Sequence, residues 1–188
     1  MAQEIEVKFP LKDRALLVQK LEAAGGEQLY PETFEDNIVL DRRGELRTRG
    51  ALLRVRRFGR YTLVTFKGPV SFEGGVKKRE EVQTGIESFE RAIALFDLLG
   101  YKPVFRYQKF REVWRVHDAE VVLDRTPIGE FFEIEGSLER IRAIIEELGL
   151  DIDFSVRATY AELYRQHRRS RPDLPEHMIF NAQDYPAP

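Results

Sequence analysis

Residues Glu4–Leu11 read EIEVKFPL, an alternation of charged and apolar side chains that stops at Pro10 and Leu11. Successive side chains of a strand point to opposite faces, so Glu4, Glu6 and Lys8 share one surface and Ile5, Val7 and Phe9 the other. The fold turns on what the charged surface meets.

The pattern returns along the chain in TFEDNIVLD (33–41), ALLRVRRFG (51–59), YTLVTFKGP (61–69), GVKKREEVQTG (75–85) and the long stretch 105–136, each bounded by turn-forming residues. One face collects Arg54 and Arg56, Lys67, Arg79 and Glu81, Lys109 and Arg111, Asp124, and Glu133 and Glu135. The other collects Leu53, Val55, Val64, Phe66, Phe110, Trp114, Val121, Leu123, Phe132 and Ile134. Between the strands lie helical periods: Leu16, Leu17, Leu21 and Ala24 before a Gly-Gly stop, a segment opened by Ser88, another opened by Ser137, and SVRATYAELYRQHRR (155–169). This is an α+β chain, read as one domain over 1–170 with a proline-bearing tail over 171–188.

Composition narrows the function. The 188 residues suffice for one domain with a sizeable core. Thirty basic against 32 acidic residues leave a net charge of -2, so no global field favours nucleic acid or an anionic membrane. There is no cysteine, which removes disulfides, thiolate metal sites and a thiol nucleophile, and fits a reducing compartment. No apolar run reaches spanning length, and a cytoplasmic protein is expected. The three histidines, His117, His167 and His177, lack metal-ligand spacing. Lys67-Gly68 lacks the rest of a phosphate-binding glycine loop, and the basic run RQHRRSR suits the carboxyl end of a helix.

Any one strand fits a half-buried sheet whose charged face meets water. The set does not. Nearly every strand contributes a spaced pair of formal charges, and arginine, whose planar fork suits phosphate or carboxylate, is frequent among them. About eight such strands closed into an antiparallel barrel would turn the charged face into a lumen and place the helices outside, with no exposed sheet edge. Buried charges need partners. A polyanion with divalent cations would supply them.

The Glu-x-Glu-x-Lys of Glu4, Glu6 and Lys8 resembles the signature of the CYTH superfamily, the triphosphate tunnel enzymes that include class IV adenylate cyclases, thiamine triphosphatases and inorganic triphosphatases. LRVR, FKGP, REE, KFR, VVLD and FFEIEG follow in the order that family shows, so the resemblance runs from about Glu4 to Tyr164. It implies an eight-stranded antiparallel tunnel with helices outside. There are departures: Gln83 stands where many relatives carry a carboxylate after Arg79 and Glu81, and FEDNIVLD matches only loosely, with Asp36 as the nearest counterpart of a family acid.

The resemblance and the charge pattern together assign chemistry. Lys8, Arg54, Arg56, Lys67, Arg79, Lys109 and Arg111 are expected to hold phosphates. Glu4, Glu6, Glu133 and Glu135, then Asp124 and Glu81, are expected to hold Mg²⁺ or Mn²⁺, which prefer oxygen ligands. Glu4, Glu6, Lys8, Glu133 and Glu135 form the expected catalytic set. Tyr160 reads as core, although relatives bring a tyrosine of this region to the tunnel mouth. The expected activity is metal-dependent hydrolysis of ATP, tripolyphosphate or thiamine triphosphate, with adenylate cyclase chemistry as the alternative and a non-catalytic polyphosphate binder as a third reading. Neither nucleic acid nor membrane is expected as a partner, and a homodimer stays open.

Overall fold

The computed structural model describes residues 2–181. Its strands are β1 (Ala2–Pro10), β2 (Glu27–Asp41), β3 (Leu52–Phe58), β4 (Tyr61–Lys67), β5 (Ser71–Glu73), β6 (Val76–Ile86), β7 (Lys102–Val116), β8 (Ala119–Thr126) and β9 (Gly129–Glu135). The order β1-β9-β8-β7-β2-β3-β4-β6 closes because β1 pairs with both β9 and β6. Every pairing is antiparallel, and β5 hangs on β6 outside the ring. The result is the closed eight-stranded barrel that the alternation predicts.

Helices α1 (Arg14–Ala23), α2 (Glu45–Thr48), α3 (Phe89–Leu98), α4 (Leu138–Glu147) and α5 (Tyr160–Ser170) lie outside the barrel. Their starts follow from capping. The side chains of Asp13, Ser88 and Ser137 each accept a backbone N–H of the first turn, and Thr159 with Glu162 forms a reciprocal capping box. That box starts α5 at Tyr160, later than the sequence pattern suggests, after Val156 N–H has bonded to Lys8 O. The short α2 has no periodic signal; it forms because the buried Asp41 carboxylate accepts Leu46 N–H and Arg47 N–H.

Apolar packing is turned outward. Val7, Phe9, Trp114, Val121, Leu123, Phe132 and Ile134 face away from the lumen and pack against Leu17 and Leu21 of α1 and Ile141, Ile144 and Leu148 of α4. On another flank, Leu40, Leu53 and Val55 receive Phe89 and Ala92 of α3. Full burial of each such aliphatic side chain stabilises by roughly 1.5–3 kcal/mol. With the grease committed outside, the other face of each strand is free to carry charge.

The segment after Arg171 returns along β7. Met178 is buried, its N–H bonds to Arg106 O and its carbonyl accepts Gln108 N–H, while the Phe180 ring packs on Phe110. Residues 182–188 lie outside the described residues. Among the described residues no helix is long and apolar enough to cross a membrane.

Candidate active site in the barrel lumen

The lumen is one continuous cavity of about 1280 Å³. Its walls differ by strand. β1 and β9 contribute Glu4, Glu6, Glu133 and Glu135, joined by Lys8, whereas β3, β4, β6 and β7 contribute Arg54, Arg56, Lys67, Lys77, Arg79, Lys109 and Arg111.

On the acidic wall, Glu4 accepts from Lys67 and from Arg79 Nε at 2.7 Å. Burial alone would raise its pKa, but these two cations outweigh it and hold Glu4 at about 2. Glu6 is paired with Lys77, and Glu133 lies 3.3 Å from Lys8 Nζ and 2.8 Å from Arg111 Nη2. Burial acts against ionised Glu133 as well, yet Lys8, Arg111 and Lys109 keep it well below the usual carboxylate range. Glu135 makes no ion pair among the described residues. Burial, with Glu4 and Glu6 beside it, pushes Glu135 up to about 7.

Glu4, Glu6 and Glu135 each place a carboxylate oxygen within 4.8 Å of the others. Burial and then the charges of Glu4 and Glu6 disfavour an ionised Glu135, and a divalent cation is a species that would offset both. The all-oxygen donor set fits Mg²⁺ or Mn²⁺. The other acids expected to bind metal stand elsewhere. Asp124 is fully buried with its oxygens taken by Lys109 Nζ at 2.9 Å, Arg111 Nε at 2.7 Å, Arg111 Nη2 at 2.6 Å and Tyr160 OH at 2.7 Å. Glu81 lies 2.7 Å from Lys67 Nζ, and Glu133 is engaged as described.

On the basic wall the pairing is incomplete. Arg54 donates to Tyr107 OH at 3.1 Å and Thr65 Oγ1 at 3.4 Å, and Arg56 to Gln83 Oε1 at 2.9 Å. The Nε atoms of both arginines are buried without a hydrogen-bond partner among the described residues. Burial and then neighbouring Arg54 lower the pKa of Arg56, whereas for Arg54 burial is outweighed by Tyr107, Glu35 and Glu81, which raise it, so it is Arg56 whose charge is the less compensated. Gln83 bridges Arg56 and Thr65 Oγ1 as a neutral acceptor, supplying hydrogen bonds without the charge a carboxylate would add.

Three contributors lie beyond the sequence-based set. Glu35, fully buried, sits 3.5 Å from Lys109 Nζ, 3.5 Å from Arg56 Nη1 and 3.8 Å from Arg111 Nε. Burial opposes its charge, but Lys109, Arg56, Arg111 and Arg54 drive its pKa far down. Asp36, the nearest counterpart of a family acid, points away from the lumen and binds Arg106 through both oxygens at 2.9 and 2.7 Å. Lys77 is the second, and the run Lys77, Arg79, Glu81 at period two carries its signal. Tyr160 is the third: it is buried, as a core residue would be, but its ring lies 4.0 Å from Lys8 Nζ and its hydroxyl donates to Asp124. Burial together with Asp124 and Glu133 raises that hydroxyl well above the ordinary tyrosine range, so it stays protonated as the donor.

A closed antiparallel barrel with opposed acidic and basic inner walls defines a tunnel protein with a charged lumen. The family model of the CYTH domain matches residues 2–151, and the chain belongs to the CYTH domain family. It is 30% identical over 174 residues to a protein of Methanocaldococcus jannaschii named "Putative adenylate cyclase", a match covering 85% of this chain and 97% of that protein. A structure from Vibrio parahaemolyticus, also described as a putative adenylate cyclase, superposes with a TM-score of 0.76 at 20% identity over 86% of this chain and 97% of that one. A Hippeastrum structure, described as a putative adenylyl cyclase with a dominant triphosphatase activity, gives 0.64 at 18% identity over 87% and 96%. At these identities the two structures establish the shared fold.

Proposed function

We propose that the lumen binds a triphosphate and hydrolyses it with Mg²⁺ or Mn²⁺. The observation that carries this reading is the opposition, across one cavity, of three carboxylates whose oxygens lie within 4.8 Å of one another, Glu4, Glu6 and Glu135, the last unpaired among the described residues, to the lumen-lining guanidiniums of Arg54 and Arg56. A bare anion would leave Glu135 without a counter-charge, and a bare cation would leave the two arginines sharing one nearby carboxylate, Glu35. A metal-bound polyphosphate answers both.

Glu4, Glu6 and Glu135 would hold the divalent ion, which when bound supplies charge neutralisation at phosphate oxygens and activation of water. The remaining work is positioning and electrostatics. Arg54 and Arg56 bind and orient phosphate oxygens by charge-assisted hydrogen bonds. Lys109 and Arg111 face the same anion, held in place by Asp124 and Glu35 behind them. Lys8 is fixed between Glu133, Ala158 O and the Tyr160 ring, so its ammonium is pre-placed at little entropic cost. Enclosure by the barrel excludes bulk water and strengthens each of these interactions. No covalent nucleophile is needed, because the attacking group is water.

Adenylate cyclase chemistry is the second reading, favoured by the naming of the Methanocaldococcus relative and by a cavity roomy enough for a nucleotide. The same cradle would then direct the ribose 3′ hydroxyl at the α-phosphorus. Incubation with tripolyphosphate, ATP or thiamine triphosphate, with Mg²⁺, Mn²⁺ or a chelator, separates the readings. Orthophosphate release that requires the metal supports hydrolysis, while cyclic AMP with pyrophosphate supports the cyclase. Tight binding without turnover of any of the three sinks both.

A further inference from the structure

Helices α3 and α4 both pack on the outside of the barrel, and they show water very different faces. The outward positions of α4 include Glu139, Arg140, Arg142 and Glu146, all exposed, which is the usual polar back of an amphipathic helix. Helix α3 packs inward through Phe89 and Ala92, with Ile93 and Phe96 partly buried beside them. Its outward side carries Leu95 and Leu98, followed by Leu99 at its end, and these are 53%, 85% and 55% exposed. At i, i+3 and i+4 the three are neighbours, so they make one continuous apolar ridge. Among the described residues none of α3 lines the lumen, so the ridge has no part in the site above.

The charges along this ridge run against the helix dipole. Arg91, one turn before Leu95, is exposed in the first turn, where a cation is disfavoured, and it has no ion pair among the described residues. The last turn carries Asp97 and no basic side chain, where a cation would be favoured. Asp97 does pair with Lys102, but both are about half exposed and such pairs contribute little. A second copy of α3 laid antiparallel across a two-fold axis near Leu95 corrects both ends at once. Arg91 of each copy then meets the carboxyl end of the other helix, and the leucines close on one another between them. A lipid surface would cover the leucines and leave this charge order unused. We propose that the outward face of α3 is a homodimer interface, self-complementary about a two-fold axis in ridge and in charge. One short helix pair lies at the small end of specific interfaces, so a dissociation constant of about 1–100 µM is expected.

Sedimentation velocity of the full chain, at concentrations spanning that range, reads the constant directly. The parent is expected to pass reversibly from monomer to dimer. Leu98→Glu and Leu95→Glu each place carboxylates in the centre of the contact and should weaken it at least about ten-fold. Both positions are exposed, and circular dichroism confirms that the variants fold; either one alone suffices if the other does not. Arg91→Glu brings an acid to the acidic end of the second copy and should weaken the dimer about ten-fold, and adding Asp97→Arg to it should restore most of the loss. A parent that stays monomeric throughout, including one that binds phospholipid vesicles through the leucines, overturns the interface. So does a dimer that neither leucine variant weakens. Failure of Asp97→Arg to rescue Arg91→Glu overturns the antiparallel arrangement and with it the proposal.

Discussion

The two walls of the lumen hold charges of opposite sign, and they manage them differently. On the β1–β9 wall most carboxylates are neutralised in place: Glu4 by Lys67 and Arg79, Glu6 by Lys77, Glu133 by Lys8 and Arg111. The exception, Glu135, is pushed up to about 7 by burial and then by the charges of Glu4 and Glu6. On the β3–β7 wall the cations are braced from behind by Glu35 and Asp124, while Arg54 and Arg56 keep unsatisfied donors. Each wall therefore balances most of its charge and leaves one part short: Glu135 has no ion pair among the described residues, and the buried Nε atoms of Arg54 and Arg56 have no hydrogen-bond partner there.

Neutralising the acidic wall should have the largest effect. Glu4→Gln and Glu6→Gln keep the side-chain volume and remove a charge that the proposed mechanism assigns to the metal, and turnover is expected to fall by about 100-fold or more. Steady-state rates across a Mg²⁺ titration, with circular dichroism to check the fold, measure this. Full metal-dependent activity in both variants would remove the acidic wall from the mechanism.

Truncating the basic wall should cost nearly as much, in binding. A ligand at a hundredfold excess over its Kd stabilises the folded parent by about 2.7 kcal/mol. Arg54→Ala and Arg56→Ala should lose most of that gain, and without ligand Arg56→Ala should be the better tolerated, because burial and Arg54 weigh against its charge while Arg54 is held by Tyr107, Glu35 and Glu81. Thermal melts with and without tripolyphosphate and Mg²⁺ decide it. Equal gains in parent and variants would reduce the basic wall to a structural one.

The contrast between the walls also explains what could be read in advance. Alternation alone revealed which face of β1, β3, β7 and β9 carries charge, since each holds a short run of period two, broken on β3 at Arg57 and on β7 at Glu112. Glu35 escaped because Glu35 and Asp36 are adjacent acids and the period alone cannot choose between them. The pairing of β2 with β7 shifts register between Gln28 and Tyr30 and again between Tyr30 and Thr33, so which acid faces inward is fixed by partners far away in sequence. Lys77 hides in a Lys-Lys pair and is assigned by its register against Glu6. Tyr160 is a helical residue whose burial resembles core packing, and only closure of the barrel brings Asp124 to its hydroxyl.

The pH dependence of the metal-free protein sharpens the comparison further. The folded-state pKa of Glu135, about 7, lies above its ordinary 4.5, so the unfolded chain releases this proton first. Its contribution is a loss of stability as pH rises from 4.5 to about 7, level beyond that. Glu135→Gln removes the loss, and at pH 8 the variant should be more stable than the parent by roughly 1–3 kcal/mol. Mg²⁺ should stabilise the parent increasingly across the same interval, because the ion binds the deprotonated carboxylate. Urea titrations at pH 5 and pH 8 check both signs; a variant no more stable than the parent at pH 8 would mean that neither burial nor the neighbouring Glu4 and Glu6 disfavours ionised Glu135.

The smallest expected effect lies behind the basic wall. Tyr160 OH donates to Asp124, a carboxylate that Lys109 and Arg111 already engage through three other hydrogen bonds. Tyr160→Phe deletes one donor and leaves the ring over Lys8, whose attraction to the π face does not need the hydroxyl. Asp124 stays neutralised, so the cost should be about 1.5 kcal/mol, the low end for hydrogen bonds to charged groups. Activity should stay within about five-fold of the parent, since that energy is spread over a brace and not applied at the phosphates. Melting curves and initial rates of the single variant measure both. A hundredfold loss of activity with unchanged stability would place the hydroxyl on the substrate itself and make Tyr160 part of the lumen's binding surface.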